Sequence, residues 1–208
     1  MSANARVTAP LIEWGVAQTV LAGETVSGDR HLVSPCRDGL LVAVVDGLGH
    51  GEEAAKAAEI AISTLKKNID EPVVPLFDRC HEALKRTRGA AISIACFSKT
   101  QESMTWLGVG NVEGVLLRGN GRAIPAHEII RLFPGVAGYQ LPPLHAVVTP
   151  LTPGDLVIFF TDGLRRDFLS EPIPRVSPKL IASRICEKHS KGTDDVLVLV
   201  ARYAGGLP

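Results

Sequence analysis

The chain has 208 residues, 46% of them hydrophobic and 21% charged, which suits a globular fold with one substantial core and is short for two. Lys plus Arg and Asp plus Glu are 22 each, so the formal net charge is zero; nothing pulls the chain electrostatically toward nucleic acid or an anionic membrane, and a protein or small-molecule partner fits better. No apolar run approaches the ~20 residues that span a bilayer. The start, Met1-Ser2-Ala3-Asn4-Ala5-Arg6, lacks the apolar core of a signal peptide, and Cys36, Cys80, Cys96 and Cys186 form no Cys-x-x-Cys pair. The expectation is a cytoplasmic protein with buried, reduced thiols.

In chain order, Glu13 to Leu21 predicts a first strand with the alternating set Trp14, Val16, Gln18 and Val20. A loop leads to Gly28-Asp29, and a second strand runs from Arg30 to Cys36. Asp38-Gly39 is a hairpin turn into the apolar run Leu40 to Val45, which ends at Asp46. The glycine-rich turn Gly47-Leu48-Gly49-His50-Gly51 opens a helix to about Asn68, whose alanine face lets it lie close on a sheet. Glu52 and Glu53 suit the dipole of its first turn. A second helix follows Pro72 or Pro75, carrying Leu76, Phe77, Cys80, Ala83 and Leu84 at helical spacing.

Strands follow over Ala90 to Phe97, Ser103 to Val109 and Val112 to Arg118. Gly119 to Pro143, punctuated by Pro125, Pro134, Pro142 and Pro143, reads as a long loop with short ordered pieces. A strand near His145 to Thr149 precedes the run Leu156 to Thr161, which ends at Asp162-Gly163. Ser177, with Pro178 behind it, caps a helix to His189, and Asp195 to Tyr203 is the last strand. Helices between antiparallel runs predict an α+β layered sandwich of two stacked sheets covered by helices.

Three apolar strands thus have a carboxylate at one end: Asp46, Asp162 and the pair Asp194-Asp195. Asp29 adds a fourth place. Each Asp alone reads as a turn residue. Gathered together they repel unless a cation neutralises them, and carboxylates with water are the ligands of Mg²⁺ or Mn²⁺ rather than zinc. Strand, Gly-x-Gly, helix also opens a dinucleotide fold, but Glu52 replaces the third glycine and Asp46 would repel the phosphate.

Asp46-Gly47-Leu48-Gly49-His50-Gly51, Gly108-Val109-Gly110-Asn111, Thr161-Asp162-Gly163 and Gly192-Thr193-Asp194-Asp195 occur in the order found in the metal-dependent Ser/Thr protein phosphatases of the PPM family. Ser27-Gly28-Asp29 and the Asp-Gly-x-Gly-His-Gly form resemble its bacterial SpoIIE branch, and the short length resembles the stressosome-associated members. The resemblance runs from about Ser27 to Ala201. It implies a single PPM-type αββα phosphatase domain across residues 1–208 and a centre of two divalent cations, Mn²⁺ or Mg²⁺. Asp46 would bridge the ions, the Gly47 carbonyl would bind one, and Asp162 and Asp194 would hold the other. Asp29 would touch an ion or one of its ligands. Aligning Asp194-Asp195 on the family's acidic pair makes Asp194 the ligand ahead of Asp195. Asp46, Asp162 and Asp194 would carry catalysis.

The resemblance further implies phosphoserine or phosphothreonine substrates on stressosome proteins with STAS domains, in negative feedback on a stress response. A metal-dependent phosphatase of a small phosphate ester, and a silent phosphoprotein-binding module, stay open beside it. Leu48 stands where many family members carry a His, so His50 is a candidate proton donor; Arg30, Arg165 and Arg166 are candidates for gripping phosphate. Asn111 and Gly108 read as packing residues.

Overall fold

The computed structural model describes residues 10–119 and 127–205. Met1 to Arg6, on which the expectation of no signal peptide rests, lie outside that range. The elements are β1 (Ile12–Thr19), β2 (Asp29–Cys36), β3 (Gly39–Gly47), α1 (Gly51–Lys67), α2 (Val73–Leu84), β4 (Ala90–Ser98), β5 (Ser103–Val109), β6 (Glu113–Leu117), β7 (His127–Ile129), β8 (Leu132–Phe133), β9 (Val147–Pro150), β10 (Leu156–Phe160), α3 (Pro178–His189) and β11 (Val196–Tyr203). One sheet has the order β1-β11-β10-β6-β7; the other runs β2-β3-β4-β5-β8, with β9 also paired to β5. Pairing is antiparallel except where β8 runs parallel to β5.

Side-chain alternation divides the interior into three layers. Val42 and Val44 of β3, Val157 and Phe159 of β10, and Leu197, Leu199 and Ala201 of β11 fill the space between the sheets. The opposite faces of the same strands turn outward onto helices. Leu41, Ala43 and Val45 meet Ala57, Ala58 and Ala61 of α1 and Phe77 of α2, while Ile158, Phe160, Val196, Val198 and Val200 meet Ile181 and Ile185 of α3. Helices on both outer faces of two stacked sheets make the expected αββα sandwich, an α+β fold. Pro35 is tolerated in β2 because β2 is an edge strand.

One expectation is amended. In β1, Ile12 and Gly15 are buried while Trp14 is 45% exposed, and Val20, past the strand's end, is 39% exposed. Trp14 instead tilts against His31 of β2. The stretch from Gly119 to Pro143 contains β7 and β8 as well as a turn in which Val136 and Gln140 exchange backbone hydrogen bonds. These strands have two or three residues each, too short for periodicity to reveal. Residues 120–126 of that stretch lie outside the described range.

Candidate active site

Asp46 falls on the parity of Val42 and Val44, so its side chain belongs to the inter-sheet face at the end of β3. Asp29 is its register partner on β2, and residues opposite each other on neighbouring strands share a face. Thr161 continues the parity of Val157 and Phe159 from the other sheet, and Asp195 that of Leu197. One end of the sandwich therefore receives polar groups from both sheets.

Gly47, one residue on, has the opposite parity and turns toward α1. A Cβ there would lie 2.0 Å from the Ala54 carbonyl oxygen, so only glycine lets the turn sit this close to the helix. The Gly47 amide donates to the Gly28 carbonyl at 3.1 Å, and Leu48 to Gly89 at 3.0 Å. The turn is thus held from β2's side and from β4's.

Hydrogen bonds then fix the individual side chains. Thr161 Oγ1 donates to Asp29 Oδ2 at 2.8 Å and accepts the Leu197 amide at 2.9 Å, tying β2 of one sheet to β10 and β11 of the other. Asn111 Nδ2 donates to Asp162 Oδ2 at 2.7 Å; its side chain is a contact of the cluster as well as part of the β5–β6 turn. Asp195 is occupied otherwise. Its Oδ1 accepts the Leu21 amide at 2.8 Å and its Oδ2 the Gly28 amide at 2.6 Å, and the residue is 4% exposed. Asp194 is more open, with Oδ1 accepting the Asp195 amide at 2.8 Å.

The electrostatics follow from the crowding. Burial, then the neighbouring Asp46, pushes the Asp29 carboxyl up to about 8, against the stabilising bond from Thr161. Burial, then Asp162 and Asp194, pushes Asp46 up to about 7, with Asn111 opposing. Asp194 is raised as well, chiefly by burial. Acids drawn out of water and set beside one another favour their neutral forms. Among the described residues no group of three or more Asp, Glu, His or Cys side chains is arranged to hold a metal ion.

The other candidates lie elsewhere or are engaged. Arg30 donates to the Ser27 and Asp29 carbonyls and pairs with Glu59 of α1 at 3.1 Å. Arg165 donates to the Lys188 and Ser190 carbonyls at the end of α3, and Arg166 pairs with Glu113. His50 Nδ1 meets Glu24 Oε1 at 2.5 Å with its side chain 60% exposed. Two cations not singled out from sequence stand nearer. Lys191 Nζ donates to the Asp162 carbonyl at 2.5 Å; Arg88, paired with Glu53, has Nη1 2.8 Å from where Gly49 would carry a Cβ. Thr161 was legible only as a member of its motif, and its bond across the sheets has no local sequence signal.

A profile described as Stage II sporulation protein E (SpoIIE) matches residues 37–204. Phosphoserine phosphatase RsbX of Bacillus subtilis (strain 168) is 31% identical over 101 residues, which cover 49% of this chain and 51% of that protein. The match thus spans about half the length of that curated relative. A structure solved in work on the bacterial stressosome, as a modular system adapted to control secondary messenger signaling, is 31% identical with a TM-score of 0.82, covering 92% of this chain and 99% of its own. RsbX in complex with magnesium has the same fold at 24% identity and a TM-score of 0.82, over 93% of this chain and 96% of that one. With the profile extending over most of its length and the two-sheet sandwich in place, the chain belongs to the SpoIIE family, within the PPM phosphatase fold.

Proposed function

We propose that the protein is an Mn²⁺- or Mg²⁺-dependent phosphatase of phosphoserine and phosphothreonine on signalling proteins, with stressosome proteins carrying STAS domains as substrates. The observation that carries the reading is Asp46, partly buried at the mouth of the sandwich and raised toward neutral pH by that burial and then by Asp162 and Asp194. Kinship with a phosphoserine phosphatase and with a stressosome structure supports the substrate class.

In this reading Asp46, the Gly47 carbonyl, Asp162 and Asp194 would hold two cations, with Asp29 beside Asp46. Such ions supply a hydroxide at neutral pH and offset the charge of the phosphoryl oxygens. The chain's own residues do the positioning. Thr161 fixes one oxygen of Asp29, and Asn111 fixes one oxygen of Asp162. Asp46, held partly protonated near neutral pH by its surroundings, would give up its proton more readily beside positive charge. Arg88 and Lys191 flank the turn as positive groups toward an incoming phosphate. Phosphoryl transfer requires placement and charge balance more than a protein nucleophile. No role for Cys or Ser as nucleophile is invoked.

The test is Mn²⁺-dependent phosphate release from a serine-phosphorylated STAS-domain protein beside a panel of small phosphate esters. Release from the protein should exceed release from any ester by at least about tenfold in kcat/KM, or ~1.4 kcal/mol of transition-state binding. An ester turned over faster than the phosphoprotein would move the assignment to metabolite hydrolysis, and no release from either would make the chain a silent binder.

The two neighbouring acids should separate cleanly. Asp194→Asn is expected to abolish the Mn²⁺ response with little change in Tm. Asp195→Asn should chiefly cost stability, about 1–3 kcal/mol, because it weakens the acceptors of two backbone amides in the interior. Thermal melts and Mn²⁺ titrations of both variants check this; the reverse pattern would exchange their roles.

A further inference from the structure

Cys36 ends β2 at the pole opposite Asp29, seven residues or roughly 23 Å along the strand. Its Sγ lies 3.6 Å from the Sγ of Cys96 on β4. Both cysteines are reduced and half-buried, unlike the buried Cys80 and Cys186. The Cys96 thiol, and after it the backbone of the hairpin turn at Asp38 and Gly39, favour a thiolate on Cys36 against its partial burial, drawing it down to about 7, while Cys96 is pushed upward in turn.

The pair opens into a cavity of about 460 Å³ between the β2–β3 hairpin and the α1–α2 connection, within the size range of small-molecule sites. Around it stand Arg37 and Asp38 from the hairpin and Asp70 and Glu71 from the connection; Lys99 after β4 donates from Nζ to the Arg37 carbonyl at 2.7 Å. Asp70 accepts the Arg37 amide at 2.7 Å. Asp38 is the acid that opposes the thiolate. A direct Cys36–Cys96 disulfide is disfavoured because β3 lies between their strands.

We propose that Cys36 is a thiol-modification site, which attacks a low-molecular-weight disulfide and retains one half as a mixed disulfide in this cavity. The Cys36 sulfur supplies the electron pair for the new S–S bond as the reagent's S–S bond breaks. The other half leaves as a thiolate and takes a proton from solvent; Cys36 is oxidised and the departing sulfur reduced. Cys96 keeps its proton and positions the nucleophile. Nothing in this step depends on the carboxylate site.

Oxidised glutathione is the probe, followed by intact mass and peptide mapping of the full chain. A single glutathionyl adduct on Cys36 is expected, with Cys80 and Cys186 unmodified. Its rate should rise with pH around a midpoint near 7. Cys96→Ala should move that midpoint toward the ordinary ~8.5 of a free thiol, and Cys96→Ser, which retains a hydroxyl donor, should keep it low. Cys36→Ser should lose the adduct and keep the wild-type phosphatase rate, so failure here is distinct from failure of the proposed activity. The proposal is overturned by an unmodified Cys36, by a midpoint unmoved in Cys96→Ala, or by an internal Cys36–Cys96 disulfide as the product.

Discussion

Asp46→Asn should lower Mn²⁺-dependent phosphate release by at least about two orders of magnitude, equivalent to ~2.7 kcal/mol of transition-state stabilisation, while the chain stays folded. The reason is local. Asp46 shares its face with Asp29 and feels Asp162 and Asp194, so it is the one carboxylate placed among all the others. An amide there has nearly the same shape and removes the anion that would attract two cations. The substitution also relieves repulsion, so in the absence of metal the variant should melt no lower than wild type at alkaline pH. Asp162→Asn should lose a similar factor, since Asn111 already holds one oxygen of Asp162 and leaves the other toward the cluster. Initial rates at saturating Mn²⁺ with parallel melts decide it: activity within tenfold of wild type in either variant removes the carboxylates from the chemistry.

The second large effect concerns pH. In the metal-free fold Asp29 and Asp46 hold protons up to about 8 and about 7, whereas in the unfolded chain they lose them near 4. Between these limits the native state binds more protons, so stability is greatest at the acid end and declines as pH rises through 7 to 8. With a chelator present, Tm should fall between about pH 6 and pH 8.5 by an amount worth at least ~1 kcal/mol, or about 2–4 °C for a chain of this size. Mn²⁺ replaces those protons, so its stabilisation should grow over the same range and its binding should release protons in calorimetry. Asp46→Asn should flatten both trends. A chelated melt that is level or rises with pH would contradict the buried, mutually repelling carboxyls.

The parts of the molecule legible in sequence are those where one residue type repeats at one period. The runs Leu40 to Val45, Leu156 to Phe160 and Val196 to Val200 are buried on both faces, one toward the other sheet and one toward a helix, which is why they read as continuous rather than alternating. The helix α3 announces itself by Ser177, whose hydroxyl accepts the Leu180 amide, and Pro178. By contrast α1 begins at His50 with no side-chain cap, and its start is legible only because the glycines of the turn precede it. Trp14 misled because a strand at a sheet's edge, with α3 leaning on it through Lys179 and the Val16 carbonyl, does not bury one clean face. At the site, the aspartates could be picked from their positions after apolar runs. The bond from Thr161 to Asp29 spans 132 positions in the chain, and nothing local announces it. The occupation of Asp195 is likewise decided by where Leu21 and Gly28 pass, a matter of tertiary path. The thiol pair was invisible for the same reason: Cys36 and Cys96 are 60 residues apart and meet only because β2, β3 and β4 lie in register.

The Thr161 hydroxyl, bonded to Asp29 on one layer and to Leu197 on its own, makes the dry interior a spacer gauge for the chemistry. The thickness set by Val44, Phe159 and Leu199 determines how far apart the two halves of the acidic mouth stand. Shaving that filling, even many ångströms from the carboxylates, would let the leaves settle and the jaws misalign, so under the proposed activity a packing lesion would surface first as slow turnover and only later as a lowered melting point.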